Sequence, residues 1–319
     1  MANDKAIEIS NEQRKALCDH VLCSLAQDDV RRWAKCWDAA ALSPHNPVTG
    51  TRYRGVNRAW LSFAAMLEGY GDSRWLTFNE VRKHEGWHLR KGSHGHKVEK
   101  WTLRTIALTD DEGEPLVDED GEQRTRSYLF LQSMHTVFNA SCVEGIEPMS
   151  FPVQDDAELF EVADRFIALV RKHGAYLEDA EDGAYYTPLS NTIHLPMRAT
   201  FATARDFCAT LFHEFAHSTK AAERMGRVRR DMGDASYAFE ELVAEMTSLF
   251  VQADMGFDSF GNTTENSIAY LQGWARKAHS DEGTVKLVMQ AITEAQRVAD
   301  WIVALYHAEY GTEQMELAA

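Results

Sequence analysis

The sequence predicts an α+β chain of two domains, an α+β half over residues 1–148 and a mainly helical half with a small sheet over residues 149–319. Three observations carry this. Segments 98–108 and 127–138 have the β-branched and aromatic content of strands and lie between helical patterns. Gly145 to Asp156, with Pro148 and Pro152, has the composition of an interdomain linker. Beyond it, apolar residues recur at helical spacing in one segment after another. At 319 residues the chain is long enough to bury a core in each half without disulfide staples.

Taken in order, residues 7–42 read as one or two helices starting near Ile9 or Ser10, with an apolar stripe through Leu17, Val21, Leu22, Leu25, Val30, Trp33, Trp37 and Leu42. Ser43 to Gly50, with Pro44 and Pro47, breaks the pattern. From Thr51 to Thr105 there are eleven Lys and Arg against five Asp and Glu, within a chain of net charge −16. The same stretch carries Trp60, Trp75, Trp87 and Trp101 among other aromatics. Cations interleaved with flat rings suit a single-stranded nucleic acid, whose phosphates pair with the cations and whose unpaired bases stack on the rings. Gly86 to Lys97 reads as a basic, glycine-bounded loop. The acidic run Asp110 to Glu122 reads as the exposed tip of a hairpin joining the two strands.

In the second half, Ala157 to His173 is an amphipathic helix. Thr192 to Leu195 is a short strand halted by Pro196, which places it at a sheet edge, with His194 facing outward. An edge strand beside a metal helix receives an extended peptide by strand addition. Residues 238–250, 268–277 and 283–310 complete the helices.

The chemistry is concentrated at His213-Glu214-Phe215-Ala216-His217, an H-E-x-x-H sequence in an apolar helical context. Positions i and i+4 share a helix face, so the two imidazoles can aim at one point, and Glu214 lies about 100° round the helix, where it reaches a water without competing for the metal. A catalytic zinc needs a third protein ligand. Glu241 follows His217 by 24 positions, enough for a turn and a returning helix, and shares a face with Glu245. Glu241 is assigned as third ligand, Glu245 as the acceptor orienting a ligand imidazole, and Glu240 competes with Glu241 for the ligand role. Zn²⁺ is the expected ion, with Mn²⁺ or another divalent transition metal as alternatives. A magnesium-dependent nuclease fits less well, because hard cations prefer carboxylates and water to two imidazoles. Tyr185 or Tyr186 is the candidate for stabilising an oxyanion.

Five cysteines without a C-x-x-C pair point to free thiols in a reducing compartment. The first residues lack the apolar core of a signal peptide and no apolar run has the length of a membrane span, so the expected location is the cytoplasm, with no membrane partner.

Several motifs together resemble one family. Tyr53-Arg54-Gly55-Val56-Asn57, Trp75-Leu76-Thr77-Phe78, Arg90-Lys91-Gly92 and Val137-Phe138-Asn139 are similar to the N-terminal single-stranded-DNA-binding domain of ArdC antirestriction proteins, a domain also found in plasmid primases of the TraC type. Ile193-His194-Leu195-Pro196, the H-E-F-A-H helix, Glu240 to Glu245 and Ala269 to Trp274 resemble that family's zincin-like metallopeptidase domain. The resemblance spans roughly residues 10–310 and departs locally. Ser218-Thr219-Lys220 stands where the family commonly has Trp-Thr-Gly, and Asn191-Thr192 where it has an Asp before the strand Ile.

The resemblance implies a protein of a plasmid or phage that accompanies single-stranded DNA into a new host, for instance in conjugation, and shields it from restriction. It implies DNA contacts through Arg54, Asn57, Arg58, Trp75, Arg90, Lys91 and Lys97, and a host protein such as a restriction component as peptidase substrate. The competing reading is a non-catalytic coat on the DNA with a structural or vestigial metal site.

Overall fold

A computed structural model of the chain describes residues 2–26, 43–110, 112–149, 154–180, 183–227, 234–257 and 271–311. The expected tryptophans Trp33 and Trp37, Cys36, and the Ala269-Tyr270 start of the late-helix motif lie outside the described residues. The architecture is α+β, as the sequence pattern requires.

The N-terminal half opens with α1 (Ala2–Leu25), which starts several residues before Ile9, and continues with α2 (Gly55–Glu68). Gly69 closes α2 in the left-handed region at φ 68°, and its N–H bonds back to the last turn. Strand β1 (Trp75–Thr77) leads into α3 (Phe78–Lys83), whose start is a reciprocal capping box between Thr77 and Glu80. After β2 (His88–Leu89), the long strands β3 (His96–Ala107) and β4 (Thr125–Asn139) pair antiparallel, with a bulge at Lys100/Trp101. Sheet order is β1-β4-β3, and β5 (Val143–Glu144) pairs with β2. The outer part of β3 and β4 projects as a two-stranded ribbon. At its tip Asp110 and Asp118 each turn the chain by accepting two backbone N–H bonds.

The C-terminal half begins with α4 (Asp156–Lys172), again entered through a capping box, Asp155 with Glu158. Strands β6 (Ala175–Glu178), β7 (Tyr185–Thr187) and β8 (Thr192–Leu195) form a sheet of order β6-β8-β7. This corrects the expected position of the Thr192–Leu195 strand, which is central, parallel to β6 and antiparallel to β7. Pro196 falls just past the strand, so its missing N–H removes no ladder bond, and the edges are β6 and β7. His194, expected to face outward, lies on the sheet face opposite Ile193 and Leu195 but is half-buried, stacked on Tyr185 and paired with Asp179 at 2.8 Å.

Three helices complete the fold: α5 (Ala204–Ser218), α6 (Asp234–Asp254) and α7 (Glu282–Tyr310). Twelve of the fifteen α5 residues are buried, so this helix is apolar nearly all round and sits inside the domain. Among the described residues no helix is long and apolar enough to cross a membrane. The described cysteines Cys18, Cys23, Cys142 and Cys208 are free thiols, and burial pushes the Cys18 and Cys208 thiols up to about 12.

The two halves share one core. Leu17, Val21 and Leu25 of α1 and Ala59 and Phe63 of α2 belong to the same apolar cluster as α4 through α7. A smaller cluster around Trp75, Leu61, Val98 and Val137 belongs to the N-terminal half alone. Arg58, 3% exposed, pins the halves together: its guanidinium meets both oxygens of Asp254 at 3.0 Å, donates to the Phe250 carbonyl at 3.2 Å and lies 4.3 Å over the Phe250 ring. Removing one member of a buried pair leaves the other charge uncompensated. Arg58→Met is therefore expected to cost roughly 3–5 kcal/mol of stability, read as a lowered urea midpoint. Arg58→Met with Asp254→Leu should recover much of it, and an unchanged midpoint in the single variant contradicts this account.

Candidate metal centre and its cleft

α5 and α6 pack against each other so that the last two turns of one face the first half of the other. His213 and His217, one turn apart on α5, direct their Nε2 atoms toward each other at 3.0 Å. Glu241 of α6 completes the triangle, its Oε2 3.5 Å from His213 Nε2 and its Oε1 3.5 Å from His217 Nε2. One ligand atom from each of the three residues lies within 4.8 Å of the others.

Each imidazole is held from behind by its other nitrogen. His213 Nδ1 lies 3.1 Å from Glu245 Oε1, and His217 Nδ1 lies 3.1 Å from Glu240 Oε1. Carboxylates in that position fix ring orientation and leave Nε2 as the outward donor. Glu240 is thus placed behind a ring, whereas Glu241 is the carboxylate between the two Nε2 atoms. Glu240 is itself clamped. Arg227 donates to it at 2.8 and 3.2 Å, to Thr219 Oγ1 at 2.6 Å and to the Ala216 carbonyl at 3.0 Å, which ties the C-terminus of α5 to α6. Lys220 adds a contact at 3.2 Å. No local pattern marks Arg227 in the sequence, because its partners come from positions eight to thirteen residues away.

The electrostatics follow from burial. Burial works to raise the Glu240 carboxyl, but His217, Arg227 and Lys220 outweigh it and hold the group at about 2. Glu241 is also favoured by burial in its neutral form, and the two imidazoles overcome this and hold it far below the usual carboxylate range. Burial disfavours the His213 cation, yet Glu245 and Glu241 lift its pKa well above the ordinary value, and Glu240 with Glu241 does the same for His217. Positive charge is therefore what this pocket favours, whether as protons or as one divalent ion. The donor set fits such an ion. Two imidazoles and a carboxylate would leave a fourth position for water or substrate, and Glu241 Oε2 is buried without a hydrogen-bond donor among the described residues.

Glu214 is set apart from this cluster. It is 2% exposed, its Oε2 has no hydrogen-bond partner among the described residues, and burial is the main cause that raises its pKa, against the pull of both histidines. It borders a cleft of about 1920 Å³ together with His217 and Glu241. β7 forms one wall through Tyr185 and Tyr186, and α1 of the N-terminal half reaches the same cleft with Arg14 and Lys15. The Tyr186 hydroxyl donates to Asn191 Oδ1 at 3.2 Å, while Tyr185 stacks on His194.

The residues expected at a nucleic-acid interface do not share one surface. Trp75 is fully buried in the small core and has no face for a base, and Arg58 is the buried interdomain clamp. Asn57 exchanges two hydrogen bonds with the Glu99 backbone, at 2.7 and 2.8 Å, and so splices α2 to β3. Arg54 is paired with Asp300, and Lys97 donates to Thr136 Oγ1 at 2.7 Å. Arg90 and Lys91 are exposed on the loop after β2, with Glu144 3.8 Å from Arg90. Charge and ring counts identify residue types, but burial decides which of them meet solvent.

Orienting carboxylates of the Glu240 kind typically change metal affinity by 10- to 100-fold when removed. Glu240→Gln is expected to weaken Zn²⁺ or Mn²⁺ binding by about that factor in a chelator competition, with the far-ultraviolet circular dichroism unchanged. Equal affinity in the variant argues against the orienting role.

The chain matches two family models, the N-terminal domain of anti-restriction factor ArdC over residues 11–138 and a zincin-like metallopeptidase over residues 163–294. DNA primase TraC of Escherichia coli is 28% identical over 285 residues, covering 85% of this chain and 25% of TraC, and another TraC is 31% identical over 282 residues, covering 85% and 18%. The chain thus spans a quarter or less of those primases. The uncharacterized protein y4eC of Sinorhizobium fredii is 32% identical over 267 residues, covering 83% of this chain and 82% of y4eC. The metal-free crystal structure of antirestriction protein ArdC from plasmid R388 superposes with a TM-score of 0.64 at 30% identity, covering 92% of this chain and 98% of that one. The Mn(II)-bound structure of the same protein gives 0.62 at 28% identity, covering 92% and 97%. With both domains matched in order and the whole of a solved relative covered, the chain belongs to the ArdC family of antirestriction proteins and carries that family's zincin-like domain.

Proposed function

We propose that this protein acts in the cytoplasm as an antirestriction factor of a plasmid or phage, binding single-stranded DNA through residues 1–148 and hydrolysing peptide bonds at the centre in residues 149–319. The observation that carries the enzymatic reading is Glu214, a carboxyl buried beside three convergent ligands on an open cleft. His213, His217 and Glu241 would hold a divalent ion, which when bound would supply Lewis acidity toward a peptide carbonyl and lower the pKa of a water. Zn²⁺ is proposed on the imidazole-rich donor set, with Mn²⁺ as the alternative.

This chain's own residues do the rest. Glu214 takes a proton from the attacking water and delivers it to the leaving amine, acting from a buried position that borders the cleft beside His217 and Glu241. Glu245 and the Arg227–Glu240 pair keep both imidazoles aimed. The β7 edge pairs only with β8 in its sheet and borders the cleft, so it is the strand an extended peptide would join, replacing the β8 edge expected from the sequence. A host restriction component is the proposed substrate, reached while the protein accompanies incoming DNA. The exposed Arg90 and Lys91 support the DNA reading by offering cations to phosphates.

Glu214→Gln is expected to keep its bound metal and its affinity for oligothymidylate while hydrolysis of a fluorogenic peptide library falls by about 100-fold or more. Undiminished hydrolysis in that variant removes Glu214 from the mechanism. If DNA remains protected from restriction in the metal-loaded variant, coating suffices for protection. In the whole chain, labelled single strands are expected to bind more tightly than duplex. Arg90→Ala with Lys91→Ala should flatten the dependence of log affinity on log salt by about 0.7 for each phosphate that these cations neutralise.

A further inference from the structure

Residues 101–107 and 125–129 of the β3–β4 ribbon are solvent-exposed on both sides, Phe130 is half-buried and Leu131 buried at its base, and the two faces differ chemically. Directly opposed residues of an antiparallel pair share a face. Trp101↔Leu131, Leu103↔Leu129 and Thr105↔Ser127 set one face, and Thr102↔Phe130, Arg104↔Tyr128 and Ile106↔Arg126 set the other. The first is mainly apolar, with Leu103 and Leu129 64% and 65% exposed. The second alternates cations with rings. The Arg104 guanidinium lies 5.3 Å over the Phe130 ring, Tyr128 stands beside Arg104 and is 37% exposed, and Arg126 is exposed next to Ile106. Neither arginine has an ion-pair partner among the described residues, and none of these three residue pairs contributes a carboxylate.

We propose that this second face of the ribbon is a binding track for a single-stranded nucleic acid, with Tyr128 and Phe130 stacking on bases and Arg104 and Arg126 meeting phosphates. The proposal rests on the DNA-binding reading and assigns it to a surface that the charge of segment 51–105 does not reveal, because Arg126, Tyr128 and Phe130 come from the returning strand. The chemistry favours a single strand over duplex, since a flat ring on an open ribbon finds a partner only in an unpaired base. The carboxylates at the ribbon tip, Asp110, Glu112 and Glu114 with Asp118, Asp120 and Glu122, repel phosphates. They confine the strand to the basic middle, so that it crosses the ribbon instead of running to its end.

The test uses the full chain and fluorescein-labelled oligothymidylate at two or more salt concentrations. Tyr128→Ala is expected to weaken binding by about 5- to 150-fold, the range for removing one base stack. Arg104→Ala with Arg126→Ala should reduce the salt slope by about 1.4, two single-strand phosphate contacts. Leu129→Ser, on the opposite face, should bind like the wild type. Wild-type affinity and slope in the Tyr128 and arginine variants would overturn the ribbon assignment while leaving DNA binding itself intact. A weakening in Leu129→Ser as large as in Tyr128→Ala would overturn it too, because the effect would then not belong to one face. Absence of oligonucleotide binding by the wild-type chain would overturn both this inference and the reading on which it rests.

Discussion

Buried charge between α5 and α6 is the constraint around which the C-terminal half is built. Four carboxylates, Glu214, Glu240, Glu241 and Glu245, lie with two imidazoles and the Arg227 guanidinium in a region otherwise filled by Phe207, Phe212, Phe215, Leu242 and Leu249. An unpaired ion there costs several kcal/mol, so every charge must find an opposite one at short range. The helix register satisfies three of the four carboxylates. Glu245 has His213, Glu240 has His217 and Arg227, and Glu241 faces both Nε2 atoms. Sliding α6 by one residue would break all three arrangements, because each step turns the helix by about 100°. Among the described residues Glu214 alone of the four has no ion pair, and burial raises its proton affinity against the pull of both histidines.

That constraint also explains why this site is the most legible part of the sequence. A four-residue spacing on a helix maps directly to a shared face, and His213, His217, Glu241 and Glu245 follow from periodicity and a return helix. Glu240 is harder to place. One residue from Glu241, it falls on the adjacent face, which would be solvent in an isolated hairpin of helices. Arg227 and Lys220 cover that face from the loop after α5, and neither belongs to a periodic pattern. Long-range partners of this kind are invisible to spacing arguments.

The same distinction runs through the N-terminal half. Strands β3 and β4 are legible from their composition to within two residues, and the acidic connection between them is the exposed tip that its charge implies. The basic and aromatic content of segment 51–105 is also real, but composition is blind to depth. Trp75 fills a core and Arg58 crosses to Asp254, whereas Tyr128 and Arg126, outside that segment, reach solvent. The misplaced edge strand has a similar cause. A proline after a strand constrains only the residue it occupies, and which neighbour pairs beyond β8 depends on β6, whose parallel partnership no local signal announces.

The shared core bears on how the two halves work together. Glu99, at the base of the ribbon, accepts from Arg14 at 2.8 and 2.9 Å, from Trp101 Nε1 at 2.6 Å and from Ser10, and its backbone is spliced to Asn57. Arg14 and its neighbour Lys15 border the metal cleft, and Lys15 donates to Ser280 at 2.8 Å ahead of α7. Ribbon, α1 and cleft are therefore joined by consecutive short contacts, over an apolar interface that includes Leu17, Val21, Ala59 and Phe63. Domains connected by a small polar interface move independently, whereas these two share an apolar core as well as the buried Arg58–Asp254 pair. On the proposed function, a strand bound on the ribbon would be carried at a fixed offset from Glu214, so the two proposed activities would be coupled by position: a protein substrate would be attacked where the DNA is held, with no change of shape required.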